Sequence, residues 1–141
     1  MGMIKIDSTT LPLIILPVVI IASVEILVYM GYREPKVDID SNNFKMKGLF
    51  GINLLFTEIA ETDTIAWVAM PTISKRTNGI SLNKVHRGKF RTTDGKNIHL
   101  SVQSGVTPVI KIVELNGSVY YINRKNAEET RQIFNKIMNK N

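Results

Sequence analysis

Residues 87–102 read Arg-Gly-Lys-Phe-Arg-Thr-Thr-Asp-Gly-Lys-Asn-Ile-His-Leu-Ser-Val, and the turn at Asp94-Gly95 decides which of these side chains share a face. A two-residue loop would set Arg91, Lys89 and Arg87 opposite Ile98, Leu100 and Val102, mixing charge with core. A three-residue loop, Thr93-Asp94-Gly95 with the glycine in the left-handed region, instead pairs Phe90 with Ile98 and Gly88 with Leu100. It also pairs Arg91 with Asn97, Lys89 with His99 and Arg87 with Ser101. Only the second register separates polar from apolar, so it is the one expected. It predicts a sheet with one buried face and a cationic outer face carrying Arg87, Lys89 and Arg91.

The charge around this hairpin is local. The chain of 141 residues carries 18 Lys and Arg against 12 Asp and Glu. From Thr64 to Thr93 there are six basic residues, Lys75, Arg76, Lys84, Arg87, Lys89 and Arg91, and no acid. A concentrated cationic surface points to an anionic partner. Lys75, Arg76, Arg87, Lys89 and Arg91 are therefore the candidate ligand-binding residues. The competing reading is a solvated strand face that only keeps the sheet soluble. Nucleic acid is not expected, because no aromatic side chains are interleaved with the cations to stack on bases. An anionic lipid surface or an acidic protein fits better.

On either side of this hairpin the pattern is one of short runs and turns. Lys36 to Asp40 alternates, Ser41-Asn42-Asn43 reads as a turn, and Phe44 to Lys47 alternates again. Gly48 and Gly51 bracket Leu49-Phe50, and Ile52 to Thr57 is a buried-strand candidate. Ile65 to Met70 is another, stopped by Pro71. A second hairpin turns at Asn116-Gly117, with two-residue and three-residue loops both open. The last element is a helix capped by Asn126, with Glu129 placed to complete a capping box. Its apolar stripe is Ala127, Thr130, Ile133, Phe134, Ile137 and Met138. The expected class is mainly β, with about seven short antiparallel strands forming a barrel or sandwich closed by one C-terminal helix.

The N-terminal part has a different composition. Leu11 to Met30 reads LPLIILPVVIIASVEILVYM, 16 of 20 positions apolar, and as a helix it reaches about the 30 Å of a bilayer core. Pro12 falls in a tolerant first turn, while Pro17 removes a backbone bond. Glu25 opposes insertion by about 2.5 to 3.5 kcal/mol at mid-bilayer, less near the interface. Tyr29, Tyr32 and Arg33 follow as interfacial anchors. A cleaved signal peptide and a buried helix or strand of a soluble fold are the alternatives; the missing small-x-small site counts against the first, the two prolines and Glu25 against the second. Lys5 before the run, against Arg33, Lys36, Lys45 and Lys47 after it, favours a cell-membrane protein with a single pass and a cytoplasmic C-terminal domain. Met1 to Thr10 shows no interpretable pattern. The expected organisation is a tail at 1–10, a transmembrane helix at 11–32 and one domain at 35–141.

Gly48-Leu49-Phe50-Gly51, the stretch from Pro71 through Arg76-Thr77-Asn78-Gly79, Gly88-Lys89-Phe90, and Tyr121-Ile122-Asn123 leading into the helix together resemble a bacterial pleckstrin-homology (PH) domain family, over about Pro35 to Lys140. The resemblance implies a PH-like fold and, since members often carry a transmembrane segment, a membrane location. It implies no activity. The inositol-phosphate motif of eukaryotic PH domains is only loosely imitated by Lys36, Lys45 and Lys47, with Asp38 and Asp40 between them. The tryptophan usual in the C-terminal helix of those domains is missing; Trp67 lies elsewhere.

Catalytic and metal chemistry find little footing. The chain has no cysteine, which excludes disulfides, thiolate zinc sites and a cysteine nucleophile. Gly48, Gly51 and Gly88 lack the continuation of a phosphate loop. His86 and His99 fall on opposite faces of the hairpin. Glu58, Glu61 and Asp63 in an expected loop could surround a cation, but a solvated turn is the simpler reading. No cofactor and no metal is expected, and no enzyme. The function expected is a membrane-anchored, non-catalytic binding module; the alternative is a protein-interaction or assembly subunit whose basic face is incidental.

Overall fold

The computed structural model describes Gly2 and residues 7–140, so Lys5, the charge expected ahead of the apolar run, lies outside the described residues. Two compact units divide at Met30 and Gly31.

The first unit consists largely of α1 (Leu11–Tyr32). Its 22 residues extend about 33 Å at the usual rise per residue, and all except Gly31 are exposed. An isolated apolar helix of this length in water would leave that surface unsatisfied. It is the one helix among the described residues long and apolar enough to cross a membrane. Asp7 prepares its start. The Asp7 carboxylate accepts the Thr9 and Thr10 N–H groups at 3.0 and 2.9 Å and the Thr9 hydroxyl at 2.6 Å. These bonds, the Thr9 hydroxyl first, hold its pKa down at about 2.

The second unit is mainly β, with nine strands in two sheets and a C-terminal helix. Strands β1 (Lys36–Ile39), β2 (Asn43–Lys47) and β3 (Ile52–Leu55) form an antiparallel sheet of three. Asp40 closes its first turn, accepting the Asn42 and Asn43 N–H groups at 2.7 Å each. The other strands are β4 (Ile59–Ile65), β5 (Ile73–Leu82), β6 (Val85–Thr92), β7 (Asn97–Gln103), β8 (Val109–Glu114) and β9 (Val119–Ile122). They form one sheet in the order β4-β8-β9-β7-β6-β5. Helix α2 (Ala127–Met138) follows.

Alternation puts two cores on the two faces of the larger sheet. On one face Ile110 stands opposite Ile122 and Ile112 opposite Tyr120. These pack with Phe44, Met46, Ile52 and Leu54 of the small sheet and Ile133 and Ile137 of α2. On the other face Phe90, Ile98, Leu100, Val102, Val109 and Tyr121 form a second cluster, covered by Ile65, Trp67, Met70 and Ile73. The segment between β4 and β5 supplies Trp67 and Met70 of that cover.

Several expectations are corrected here. There are nine strands rather than about seven, and β7 pairs with β9 in parallel, so the sheet is not wholly antiparallel. Ile52–Thr57 ends early in a 3-10 turn, Phe56–Glu58, and Ile65–Met70 is not a strand: Ile65 is the last residue of β4 and Trp67–Ala69 is a 3-10 turn. The acidic stretch expected to be a loop is largely β4, where Asp63 faces Lys111. The α2 cap is as expected, Asn126 accepting from the Glu128 and Glu129 N–H groups. The box is not: the Glu129 carboxylate lies 3.5 Å from the Arg124 guanidinium instead. Thr130, Ile133 and Ile137 are buried and Phe134 partly so, but Met138 at the stripe's end is 45% exposed.

The parallel pair is fastened by a buried amide. Asn123, 4% exposed, accepts the Gln103 N–H at 2.6 Å and donates to the carbonyls of Gln103 and Val106 at 3.0 and 2.9 Å. No secondary-structure ladder supplies these groups with partners at that point, so the side chain replaces one.

Candidate functional site

Strands β5 and β6 meet in a two-residue turn at Asn83-Lys84, with Leu82 opposite Val85 and Asn83 at φ +52°. Two bulges in β5, at Ser74 and Thr77, each insert a residue that β6 does not match. Between turn and bulge, Gly79 faces Gly88. A Cβ on either would run into the backbone of the other strand. The glycine pair thus lets two strands approach where no other residue fits.

The register around Thr93-Asp94-Gly95 is the three-residue one: Phe90 faces Ile98, Lys89 faces His99, and Arg87 faces Ser101. Across the other edge of β6, Lys75 faces Arg91 and Asn78 faces Lys89. Lys75, Lys89 and Arg91 therefore stand exposed on one face. None is in an ion pair among the described residues. Arg91 contacts Asn97 at 3.4 Å. Arg76 faces Phe90 and so belongs to the opposite face, its exposed side chain at the rim of a cavity.

Arg87 departs from the expected exposed row. It shares the face of Lys89 and Arg91 yet is only 8% exposed. Its guanidinium donates to the carbonyls of Gly31 and Tyr32, both at 2.7 Å. Those are carbonyls of the last turn of α1, which lack partners within the helix. Beside them Ile80 fits so closely against Gly31 that a Cβ there would collide with it. Burial lowers the Arg87 pKa, with Glu34 opposing that shift and Arg124 adding to it. Among the described residues the Arg87 Nε has no partner. This arginine is a structural clamp on the segment ahead of β1, and the alternation of the strand alone does not reveal the cover.

The same segment is held a second time. Arg124 donates to the Pro35 carbonyl and lies 3.6 Å from the Glu34 carboxylate, which also accepts the Lys125 N–H at 2.8 Å. Gly31 and Tyr32, expected as the end of the transmembrane helix, and Glu34, just ahead of the expected domain start at Pro35, are thus built into the β unit.

The two histidines are separate, as the register requires. His86 lies between the hydroxyls of Ser81 and Ser104, at 2.7 and 2.9 Å. His99 stacks on Tyr120, ring centroids 4.5 Å apart. Burial lowers the pKa of both, and for His99 the Lys89 charge adds to it. A histidine with a lowered folded pKa leaves the unfolded chain binding more protons, so stability is full above the ordinary 6.5 and falls as pH drops through it. The urea midpoint of the domain should therefore be lower at pH 5.5 than at pH 7.5, and replacing both histidines by Gln should shrink that difference.

Beneath the 3-10 turn at Trp67–Ala69 lies a cavity of about 240 Å³, lined by Trp67, Met70, Ile73, Phe90 and Leu100, with Arg76 and His86 at its polar side. Among the described residues no group of three His, Asp or Glu side chains could hold a metal ion, so Glu58, Glu61 and Asp63 are not gathered into a site. No protein-family model, curated protein or solved structure matches this chain.

Proposed function

We propose that this chain is a non-catalytic binding module anchored in the cell membrane by α1, whose β domain lays Lys75, Lys89 and Arg91 against anionic lipid headgroups on the cytoplasmic side. The observation that carries this reading is three cations on one exposed face with no ion-pair partner among the described residues, in a chain that also has a helix with the length and composition of a single membrane pass. Arg33, Lys36, Lys45 and Lys47 after the helix support the cytoplasmic side by the positive-inside rule. A PH-like fold is supported by the motifs quoted above and by one C-terminal helix packed on a strongly bulged sheet; the parallel strand pair departs from that pattern. Arg87, buried, and Arg76, on the opposite face, fall outside this contact set.

Each basic residue close to an anionic membrane contributes about 1 kcal/mol, and the attraction fades over about 8 Å at physiological salt. Replacing Lys75, Lys89 and Arg91 by Ser should weaken binding of the domain 31–141 to vesicles containing anionic lipid by roughly a hundredfold. This piece holds both cores and is a compact unit of its own. Co-sedimentation in low and high salt measures the effect. Binding that survives the triple substitution would remove the lipid reading.

A further inference from the structure

The face of the large sheet opposite Lys75, Lys89 and Arg91 has a gap in its cover. Along β5 and β6 the pairs on this face are Arg76 with Phe90, Gly79 with Gly88, and Ser81 with His86. The glycine pair puts no side chain between the other two, so the floor there is bare. Trp67 and Met70 close over this side of the sheet, packed with Phe90 and Leu100. The cavity of about 240 Å³ lies between them. Protein cores ordinarily leave no void much larger than a water molecule, so a space of this size is a feature of the fold and not ordinary packing slack.

Its lining is divided by chemistry. Trp67, Met70, Phe90 and Leu100 make an apolar end, and Arg76, Ser81 and His86 a polar one. His86 is already paired, with the Ser81 and Ser104 hydroxyls 2.7 and 2.9 Å from its two ring nitrogens. Arg76 is not: its side chain is exposed and makes no ion pair among the described residues. No Asp or Glu among the described residues lines the cavity. One open guanidinium, no acid and an apolar interior together select a ligand with a single negative group on an apolar body. The planar fork of the guanidinium matches the two oxygens of a carboxylate. Size sets the rest. An apolar cavity of about 150 Å³ accepts benzene, so this one takes roughly nine or ten non-hydrogen atoms.

We infer that the cavity beneath Trp67 is a binding site for an aliphatic monocarboxylic acid of about eight carbons, its chain against Phe90 and Leu100 and its carboxylate on Arg76. The site lies on the face away from the cations assigned to lipid, and it stands apart from that reading. Because the cavity is already formed, filling it orders little new chain.

Trp67, the only tryptophan, lines the cavity and reports its occupancy by fluorescence. The full chain, reconstituted in vesicles of zwitterionic lipid, is titrated with sodium octanoate and with octan-1-ol, an uncharged probe of the same length, at matched free concentrations. Octanoate should change the Trp67 emission saturably, and octan-1-ol should bind about tenfold more weakly. Arg76→Gln, an exposed substitution that leaves the fold intact, should weaken octanoate about tenfold and leave octan-1-ol unchanged. From butanoate to octanoate each added methylene should tighten binding about fourfold, and the gain should stop by dodecanoate. No saturable change with octanoate overturns the site, as does equal octanoate affinity in the wild type and Arg76→Gln. Affinity that keeps rising beyond dodecanoate would put the chain on an open surface or in the bilayer, and it overturns the cavity site too. Each of these failures leaves the lipid reading standing, because Lys75, Lys89 and Arg91 are untouched.

Discussion

Gly88→Val should abolish the cooperative unfolding transition of the domain, followed by the fluorescence of Trp67, the only tryptophan, in urea. Two penalties coincide at this position. The backbone stands at φ +114°, which L side chains rarely adopt, and an added Cβ would strike the Asn78 carbonyl and Gly79 on the facing strand. Backbone strain of this kind costs about 1 to 3 kcal/mol. Parting two hydrogen-bonded strands to admit a branched side chain adds about as much again. A loss above about 4 kcal/mol is large against the 5 to 15 kcal/mol of a typical domain. Gly95→Ala separates the two causes. Gly95 sits at φ +86° with open space around it, so the strain acts alone and about 1 to 2 kcal/mol is expected. Equal losses at the two glycines would refute the close approach of β5 and β6.

Asn123→Ala should cost about 4 kcal/mol in the same urea titration. The side chain makes three hydrogen bonds, to the Gln103 N–H and to the carbonyls of Gln103 and Val106. Each is worth about 1 kcal/mol, and groups left buried without partners raise the loss further. Asn123→Asp keeps the acceptor for the Gln103 N–H but brings a negative charge against two carbonyl oxygens, so it should not rescue stability. A loss below about 1 kcal/mol for Asn123→Ala would mean that water takes over all three partners.

Local chemistry was legible in the sequence and distant cover was not. The pairing of Phe90 with Ile98 followed from the glycine in the Thr93-Asp94-Gly95 turn, because a slip of one residue would have sent charges into the core. The Asn126 cap and the Ile133 and Ile137 stripe are likewise properties of neighbouring residues. Arg87 shows the limit. Its face was assigned correctly, but the carbonyls that bury it belong to Gly31 and Tyr32, more than fifty positions earlier. Strand β5 escaped notice because its bulges at Ser74 and Thr77 break the period of two on which strand recognition depends. The parallel contact of β7 with β9 arises between segments with β8 lying between them in sequence, and no turn signal encodes it. One readable signal was passed over. Asp7-Ser8-Thr9-Thr10 ahead of an apolar run has the composition of a helix start, and Asp7 does bind the Thr9 and Thr10 N–H groups.

The placement of β9 also governs how the protein can be made. In the large sheet, β4 and β8 lie on one side of it and β7, β6 and β5 on the other, so its four residues, Val119–Ile122, are the seam that joins them. Translation delivers this seam after every other strand. A ribosome adding about 5 to 20 residues per second exposes the free edges of β7 and β8 before the piece that pairs them has emerged. Unpaired edges recruit other strands. Newly made chains therefore face a short interval in which chaperone capture competes with closure, and a stop codon ahead of residue 119 would yield two half-sheets, a substrate for quality-control proteases.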